Sequence, residues 1–138
     1  MRPARILVFL LGLMACDLFG PKVTCACDPA LGTADFTGTV SDPSKQPAAG
    51  AVVWFQLLND APCVNTTPAF IAIDSVIADG SGVYTRTSSW FIPANKCWRT
   101  WASAPIGSAL KASDTSVVNT NFTTTATLQV SKNFQLRP

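Results

Sequence analysis

The chain has 138 residues, with ten basic side chains against eight acidic ones, and it contains no histidine and no glutamate. Histidine is the usual base at neutral pH and the commonest metal ligand, so its absence excludes Ser–His–Asp and Cys–His catalytic arrangements and histidine-bound zinc. The small net charge gives no electrostatic basis for binding nucleic acid. Composition therefore predicts a protein that is not an enzyme and that uses no metal or cofactor.

Residues 1–15 have the anatomy of a secretory signal peptide. Two arginines precede an apolar run over residues 6–15, which is too short to cross a bilayer because a span needs about 20 apolar residues. The run ends in Leu13-Met14-Ala15-Cys16, which resembles the lipobox of bacterial lipoproteins. The resemblance implies cleavage before Cys16 and a palmitate-containing lipid on its thiol. The alternative is an ordinary signal peptide followed by an unmodified cysteine.

A lipid on Cys16 would place the protein in the bacterial cell envelope, exported and anchored to either the inner or the outer membrane. Anchors with more than one acyl chain hold a protein stably at a membrane. Residues 16–33 contain Gly, Pro and Asp without a sustained period, which predicts a flexible tether. Residues 34–138 have the length of one domain.

Short strands are predicted throughout residues 34–138. Apolar and polar residues alternate over 36–41 and 127–136, and a run that is apolar on both faces, 51–58, predicts a central strand. Further strands are predicted over 70–78, 83–87, 97–104 and 116–118. No helical period occurs after the signal peptide. About seven strands separated by turn residues predict an all-β, Greek-key β-sandwich.

Three short motifs resemble the carboxypeptidase regulatory-like domain. They are Gly38-Thr39-Val40-Ser41-Asp42, Pro47-Ala48-Ala49-Gly50-Ala51-Val52-Val53 and Ala78-Asp79-Gly80-Ser81-Gly82-Val83-Tyr84, which follow one another in the order and spacing of that family. The resemblance implies a transthyretin-like (prealbumin-like) sandwich over about residues 34–138. It also implies an accessory or adhesion-like module without shared catalytic residues. Arg86 departs from the family pattern. We expect an apolar residue at this position, two residues after Tyr84.

Four cysteines follow Cys16, and export favours disulfide bonds. Cys63 follows the predicted strand 51–58 and Cys97 begins the strand 97–104, so these two are predicted to bond. Pairings that involve Cys25 or Cys27 stay open, although a bond between those two would close a very small, strained ring. A metal site of four thiolates is disfavoured because it needs two CxxC-like hairpins and the chain has only a CxC.

Four tryptophans are many for so small a domain. Side chains alternate along a strand, so Trp98 and Trp101 are predicted to point to opposite faces, Trp98 inward and Trp101 outward. Core packing is the simplest role for these rings, and Trp101 and Trp90 are the candidate ligand-binding residues. Asp79-Gly80-Ser81-Gly82 lacks the further acids of a calcium loop and predicts a plain turn.

Two functions are compatible with these features. The first is a membrane-anchored lipoprotein whose sandwich is a non-catalytic structural or protein-interaction module. The alternative is a carbohydrate- or peptide-binding module that uses exposed aromatic side chains. The predicted partners are the membrane through the lipid anchor, together with envelope proteins or glycans, and nucleic acid is not among them.

Overall fold

The computed structural model describes residues 30–58 and 62–138, and of 70–73 it describes the backbone alone. Within this part of the chain there are eight β-strands and no helix. The strands are β1 (Leu31–Ser41), β2 (Val52–Leu58), β3 (Ala69–Ile77), β4 (Val83–Phe91), β5 (Ala94–Ser103), β6 (Ser116–Phe122), β7 (Thr127–Ser131) and β8 (Phe134–Gln135).

The strands form two sheets that enclose one core. In the first sheet, β1 lies between antiparallel β4 and parallel β7, and β8 pairs in parallel with the last residues of β1. The second sheet has the order β3-β2-β5-β6, and all of its neighbours are antiparallel. The predicted all-β sandwich is confirmed, with eight strands rather than about seven.

The core is built from the inward side chains of both sheets. Because successive side chains of a strand point to opposite faces, buried and partly exposed positions alternate along most of β1 and β2. Phe36 lies at the centre, with its ring 5.2 Å from that of Phe55 and 5.6 Å from that of Trp98. Burying a side chain of this size stabilises the fold by about 1.5–3 kcal/mol. The core thus joins the middle strand of the first sheet to both middle strands of the second.

The predicted strand over 127–136 is interrupted at Lys132 and Asn133. The backbone of Lys132 is held from two sides: its N–H donates to the carbonyl oxygen of Thr37 at 2.9 Å, and its own carbonyl accepts a hydrogen bond from the Tyr84 hydroxyl at 2.6 Å. A Cβ atom on Gly38 would lie 1.8 Å from the Lys132 carbonyl oxygen. The interruption therefore packs directly against the backbone of β1.

Several strand boundaries also differ from the predictions, among them the start of β1 and the ends of β4 and β6. β1 begins at Leu31, inside the predicted tether 16–33, because Leu31 and the next residues pair with the end of β4. β6 extends to Phe122, well past the predicted 116–118, because it pairs with β5 from Ser116 to Phe122. Pairing with a neighbouring strand extends both elements beyond what their own sequences indicate.

The turn between β3 and β4 follows the predicted chemistry. Asp79 Oδ1 accepts hydrogen bonds from the backbone N–H groups of Ser81 and Val83 at 2.8 and 2.9 Å. Gly82 has a positive φ of 72°, and a Cβ atom there would lie 2.6 Å from the Val40 carbonyl oxygen. The carboxylate is thus used by the turn itself, and the glycine lets the turn lie close to β1.

Candidate functional site

The proposed attachment point of the lipid lies outside the described residues. Cys16, the signal peptide, Cys25 and Cys27 all belong to residues 1–29. In residues 30–58 and 62–138, no helix has the length and apolar character that crossing a membrane requires.

Cys63 and Cys97 are joined by a disulfide bond, as predicted. Their Cα atoms are 5.5 Å apart, within the range of about 4.4–6.8 Å that a disulfide needs. The bond ties the connection between β2 and β3 to β5, and it links positions separated by 34 residues. This side of the second sheet therefore has a covalent link in addition to its hydrogen bonds.

Arg99 holds the same connection without a covalent bond. Its guanidinium donates to the Gln56 side-chain oxygen at 3.0 Å, to the Asn65 side-chain oxygen at 3.1 Å, and to the backbone carbonyls of Asn65 and Thr67. The Thr67 hydroxyl in turn donates to the carbonyl oxygen of Pro62. Sequence reasoning did not single out Arg99; the sole indication was its outward position beside Cys97 on β5.

Trp101 stacks on Trp54 on the outward face of the second sheet. The two residues lie directly opposite each other in β2 and β5, with ring centroids 6.3 Å apart and ring planes 18° from parallel. The Trp54 indole N–H donates to the Ser103 hydroxyl at 2.8 Å. Trp98 faces the core, as predicted, with 4% of its surface exposed. Sequence reasoning missed Trp54 as the partner of Trp101, because cross-strand register is not visible in the sequence.

Trp90 lies elsewhere, on the inward face of the first sheet. Its ring contacts that of Trp98 edge to face at 6.2 Å, and the ammonium nitrogen of Lys96 lies 4.8 Å from its centroid. Trp90 therefore lies on the inward face of the first sheet, whereas Trp101 lies on the outward face of the second. The structure does not bring these two candidate ligand-binding residues together in one site.

The unexpected Arg86 bridges the two sheets. It lies on the inward face of β4 with its guanidinium carbon 5.0 Å from the centre of the Phe55 ring. One guanidinium nitrogen forms an ion pair with the carboxylate of Asp74 on β3, in the opposite sheet. The fold accommodates this charge because the guanidinium stacks on the face of the Phe55 ring and pairs with the exposed Asp74 carboxylate at the edge of the sandwich.

Tyr84 is the one tyrosine of the chain, and it is buried with 2% of its surface exposed. Burial raises the pKa of Tyr84 well above its ordinary value of about 10. The hydroxyl is therefore protonated at neutral pH, and it donates to the Lys132 carbonyl rather than facing solvent. This arrangement suits a core hydrogen bond and not a metal ligand or a base.

An open cleft of about 460 Å³ lies beside β8, between the segment 113–116 and the last residues of the chain. Its charged side chains include Lys132 and an ion pair between Arg137 and Asp114, whose closest atoms are 3.3 Å apart. Arg137 also donates to the carbonyl oxygen of Ala112 at 2.7 Å. Across the described residues, no group of three or more His, Cys, Asp or Glu side chains is placed to hold a metal ion.

No family model matches the sequence, and no curated protein is detectably similar to it. Among solved structures, 3-chlorocatechol 1,2-dioxygenase from Rhodococcus opacus 1CP is 13% identical with a TM-score of 0.49, covering 76% of this chain and 60% of the enzyme. Catechol 1,2-dioxygenase from Acinetobacter sp. ADP1 is 14% identical with a TM-score of 0.49, covering 81% and 54%. The enzyme of that name from Pseudomonas arvilla C-1 is 15% identical with a TM-score of 0.42, covering 80% and 54%. This chain thus spans 54–60% of the length of these enzymes.

These neighbours contradict the prediction that the chain is a non-catalytic structural, interaction or ligand-binding module and not an enzyme, because all three are enzymes. The physical error lay in the argument from composition. Missing histidine excludes particular reactions, but Asp, Lys, Ser and Tyr side chains also transfer protons or act as nucleophiles. At identities of 13–15% and TM-scores below 0.5, the likeness assigns no reaction, substrate or catalytic residue to this chain.

Proposed function

We propose that the chain is an exported bacterial lipoprotein whose β-sandwich is held at a cell-envelope membrane by a lipid on Cys16. The observation that carries the proposal is the apolar run that ends in Leu13-Met14-Ala15-Cys16. The sandwich then begins at Leu31, 15 positions after Cys16. The partners that this location supplies are the membrane itself and the proteins and glycans of the envelope.

The disulfide bond between Cys63 and Cys97 supports export independently of the N-terminal motif. Disulfides persist in oxidising compartments such as the bacterial periplasm and the cell surface, and they are rare in the reducing cytosol. Both sulfurs belong to the sandwich and not to the N-terminal segment. The folded domain thus has the chemistry expected of a protein that works outside the cytosol.

We also propose that the sandwich is a carboxypeptidase regulatory-like domain. Its motif glycines Gly50 and Gly82 both have a positive φ, at 75° and 72°, which glycine adopts without strain. The motif tyrosine, Tyr84, is a buried core residue. These positions support the proposed family because its short motif residues have local structural roles here.

Replacing Cys16 tests the lipid anchor. In cells fed radiolabelled palmitate, we expect the wild-type chain to be labelled and the Cys16→Ala variant to carry no label, because the thiol is the attachment point. Cys25→Ala is the matched control, since it removes another cysteine of the same N-terminal segment, and it should keep the label. Equal labelling of Cys16→Ala and wild type, or an unlabelled wild type, would refute the proposal.

A further inference from the structure

We propose that one end of the sandwich lies against the phospholipid bilayer and inserts Leu31 and Phe91 among the lipid headgroups. This inference rests on the proposed lipid anchor, and it adds the orientation of the domain and the residues that touch the membrane. The anchor-proximal end is defined here as segments 30–33, 89–97 and 121–127. Strand pairing brings these segments together where the described chain begins.

An exposed apolar pair marks this end. Leu31 and Phe91 lie directly opposite each other in β1 and β4, and 47% and 62% of their surfaces are exposed. Their next outward neighbours on these strands are the polar residues Thr33 and Ser89. On this face the exposed Leu31–Phe91 pair thus lies at the end that leads to Cys16, and the exposed Val83 lies at the other end of β4.

The composition beneath the pair suits the membrane interface. Trp90, next to Phe91, is half-buried, and its ring contacts Lys96. Tryptophan and lysine are typical of the headgroup region, where an aromatic ring meets both acyl chains and water and a cation meets anionic lipid.

The three segments of the anchor-proximal end contain no acidic residue that would oppose an anionic bilayer. The opposite end has charges of both signs, with Asp42, Asp79 and Asp114 beside Lys45, Lys111, Lys132 and Arg137. The proposed contact therefore rests on the apolar pair and on where the chain enters the sandwich, and not on net charge.

The length of the preceding chain keeps this end close to the anchor. Ala30 follows Cys16 by 14 positions, and 14 residues reach at most about 50 Å when fully extended. The chain enters the sandwich at Leu31 itself. A lipid on Cys16 would thus raise the effective concentration of the bilayer at Leu31 and Phe91, so a weak contact suffices.

Exposed apolar residues at the opposite end provide a matched control. Val83 lies on the same outward face of β4 as Phe91 and is 40% exposed. It is eight positions away along the strand, a distance of about 26 Å. If the bilayer contacts only the anchor-proximal end, Val83 is outside the contact.

The test uses tryptophan fluorescence of the acylated wild-type protein in vesicles of phosphatidylethanolamine and phosphatidylglycerol with brominated acyl chains. Bromine quenches indoles that approach the chains, so we expect quenching of the wild type through Trp90. The Leu31→Ser/Phe91→Ser double variant should lose most of this quenching, and Val83→Ser should keep it. Unchanged melting temperatures of both variants would show that the fold is intact, as the exposure of these side chains predicts.

A second measurement separates this inference from the lipid anchor. The chain from residue 16 onward with Cys16→Ser cannot be acylated, and its sedimentation with the same vesicles reports the surface alone. We expect weak binding that falls about tenfold in the Leu31→Ser/Phe91→Ser variant, since exposed Leu and Phe side chains lose their apolar contact. An acylated wild type without quenching, or with equal quenching in the double variant, would overturn the membrane contact and leave the anchor intact. If the wild type carries no lipid but the Cys16→Ser chain still binds vesicles through Leu31 and Phe91, the lipid anchor is overturned and the membrane contact stands.

Discussion

Among the described glycines, Gly38 leaves the least room for an added Cβ atom. Its alternation with Phe36 and Val40 in the sequence correctly assigns it to a strand, but nothing in that pattern shows what crosses it. The carbonyl oxygen of Lys132, 94 positions further along the chain, occupies the space that a Cβ atom would need. Such long-range contacts are not encoded in the local period that predicts strands.

We expect Gly38→Ala to destabilise the fold by about 3 kcal/mol, at the upper end of the usual range for overpacking, because a backbone carbonyl and not a flexible side chain must move. Gly80→Ala is the control, since no atom lies within 4 Å of its added Cβ, and the free energy of unfolding should hardly change. Urea denaturation of both variants measures the difference. Equal stabilities would mean that the contact relaxes without cost.

Arg86 shows how a charged residue can occupy an inward position of a strand. The resemblance led us to expect an apolar residue there, and the structure places Arg86 on the inward face of β4. Its compensation comes from Phe55 and Asp74, which belong to other strands and to the opposite sheet. The inward position of Arg86 can therefore be explained only from the packing of the two sheets against each other.

At the scale of strands, the accuracy of each predicted strand depended on whether its inward side chains are apolar. β2 was predicted closely because its inward residues are all apolar, whereas β6 was predicted three residues long instead of seven. The reason is Thr120, a polar residue that points inward and is buried in β6. Its hydroxyl accepts a hydrogen bond from the Trp98 indole at 2.9 Å and donates to the Lys96 carbonyl at 3.2 Å. A satisfied polar residue in the core thus hides the strand pattern.

The candidate site was predictable only in part, for a related reason. The bond between Cys63 and Cys97 was predicted from the positions of the two cysteines relative to the predicted strands, although Cys97 lies inside β5 and not at its start. The Trp54–Trp101 stack depends on the exact register of β2 against β5. The Arg99 contacts depend on the path of the connection after β2. Register and loop path are set by the folded whole, so neither was foreseen.

The disulfide should contribute measurably to the stability of the second sheet. Replacing both Cys63 and Cys97 by Ala should lower the free energy of unfolding by about 3–4 kcal/mol under oxidising conditions, because the bond restricts a loop of 34 residues in the unfolded chain. Thermal unfolding with and without reductant measures the effect. Under strong reductant the wild type should approach the variant. A melting temperature that neither the substitutions nor the reductant changes would show that the bond has no such role.

At the scale of the whole molecule, Tyr84 reports on both sheets together. It belongs to the first sheet, and its ring lies 6.2 Å from Phe55 of the second and 6.0 Å from Phe134 of β8. Its hydroxyl also bonds to the segment between β7 and β8. Because burial raises the pKa of Tyr84, the ionisation of this hydroxyl is coupled to unfolding.

We expect the wild type to lose stability as the pH rises above about 10, the pKa of tyrosine in an unfolded chain. The folded state keeps the proton because burial raises the pKa of Tyr84, whereas the unfolded state releases it, so the free energy of unfolding falls with pH. Tyr84→Phe should be about 1 kcal/mol less stable at neutral pH, where it lacks the hydrogen bond, and should decline less steeply above pH 10. Urea denaturation across this pH range compares the two proteins.

Tyrosinate absorbance provides a direct check, because the chain has a single tyrosine. The absorbance should rise together with the loss of the circular dichroism signal of the strands. Ionisation near pH 10 with an intact β signal would show that the hydroxyl is accessible in the folded protein, contrary to the structure.

The parallel pairing of β1 with β7 and β8 makes the first described strand wait for the last ones. Thr39 donates hydrogen bonds to the Asn133 side chain from a position 94 residues earlier. Until β7 and β8 arrive, one edge of β1 has unpaired N–H and C=O groups, which are a template for aggregation. A chain that is cut or held before Thr127 would therefore carry an unfinished sheet, which chaperones and proteases can recognise.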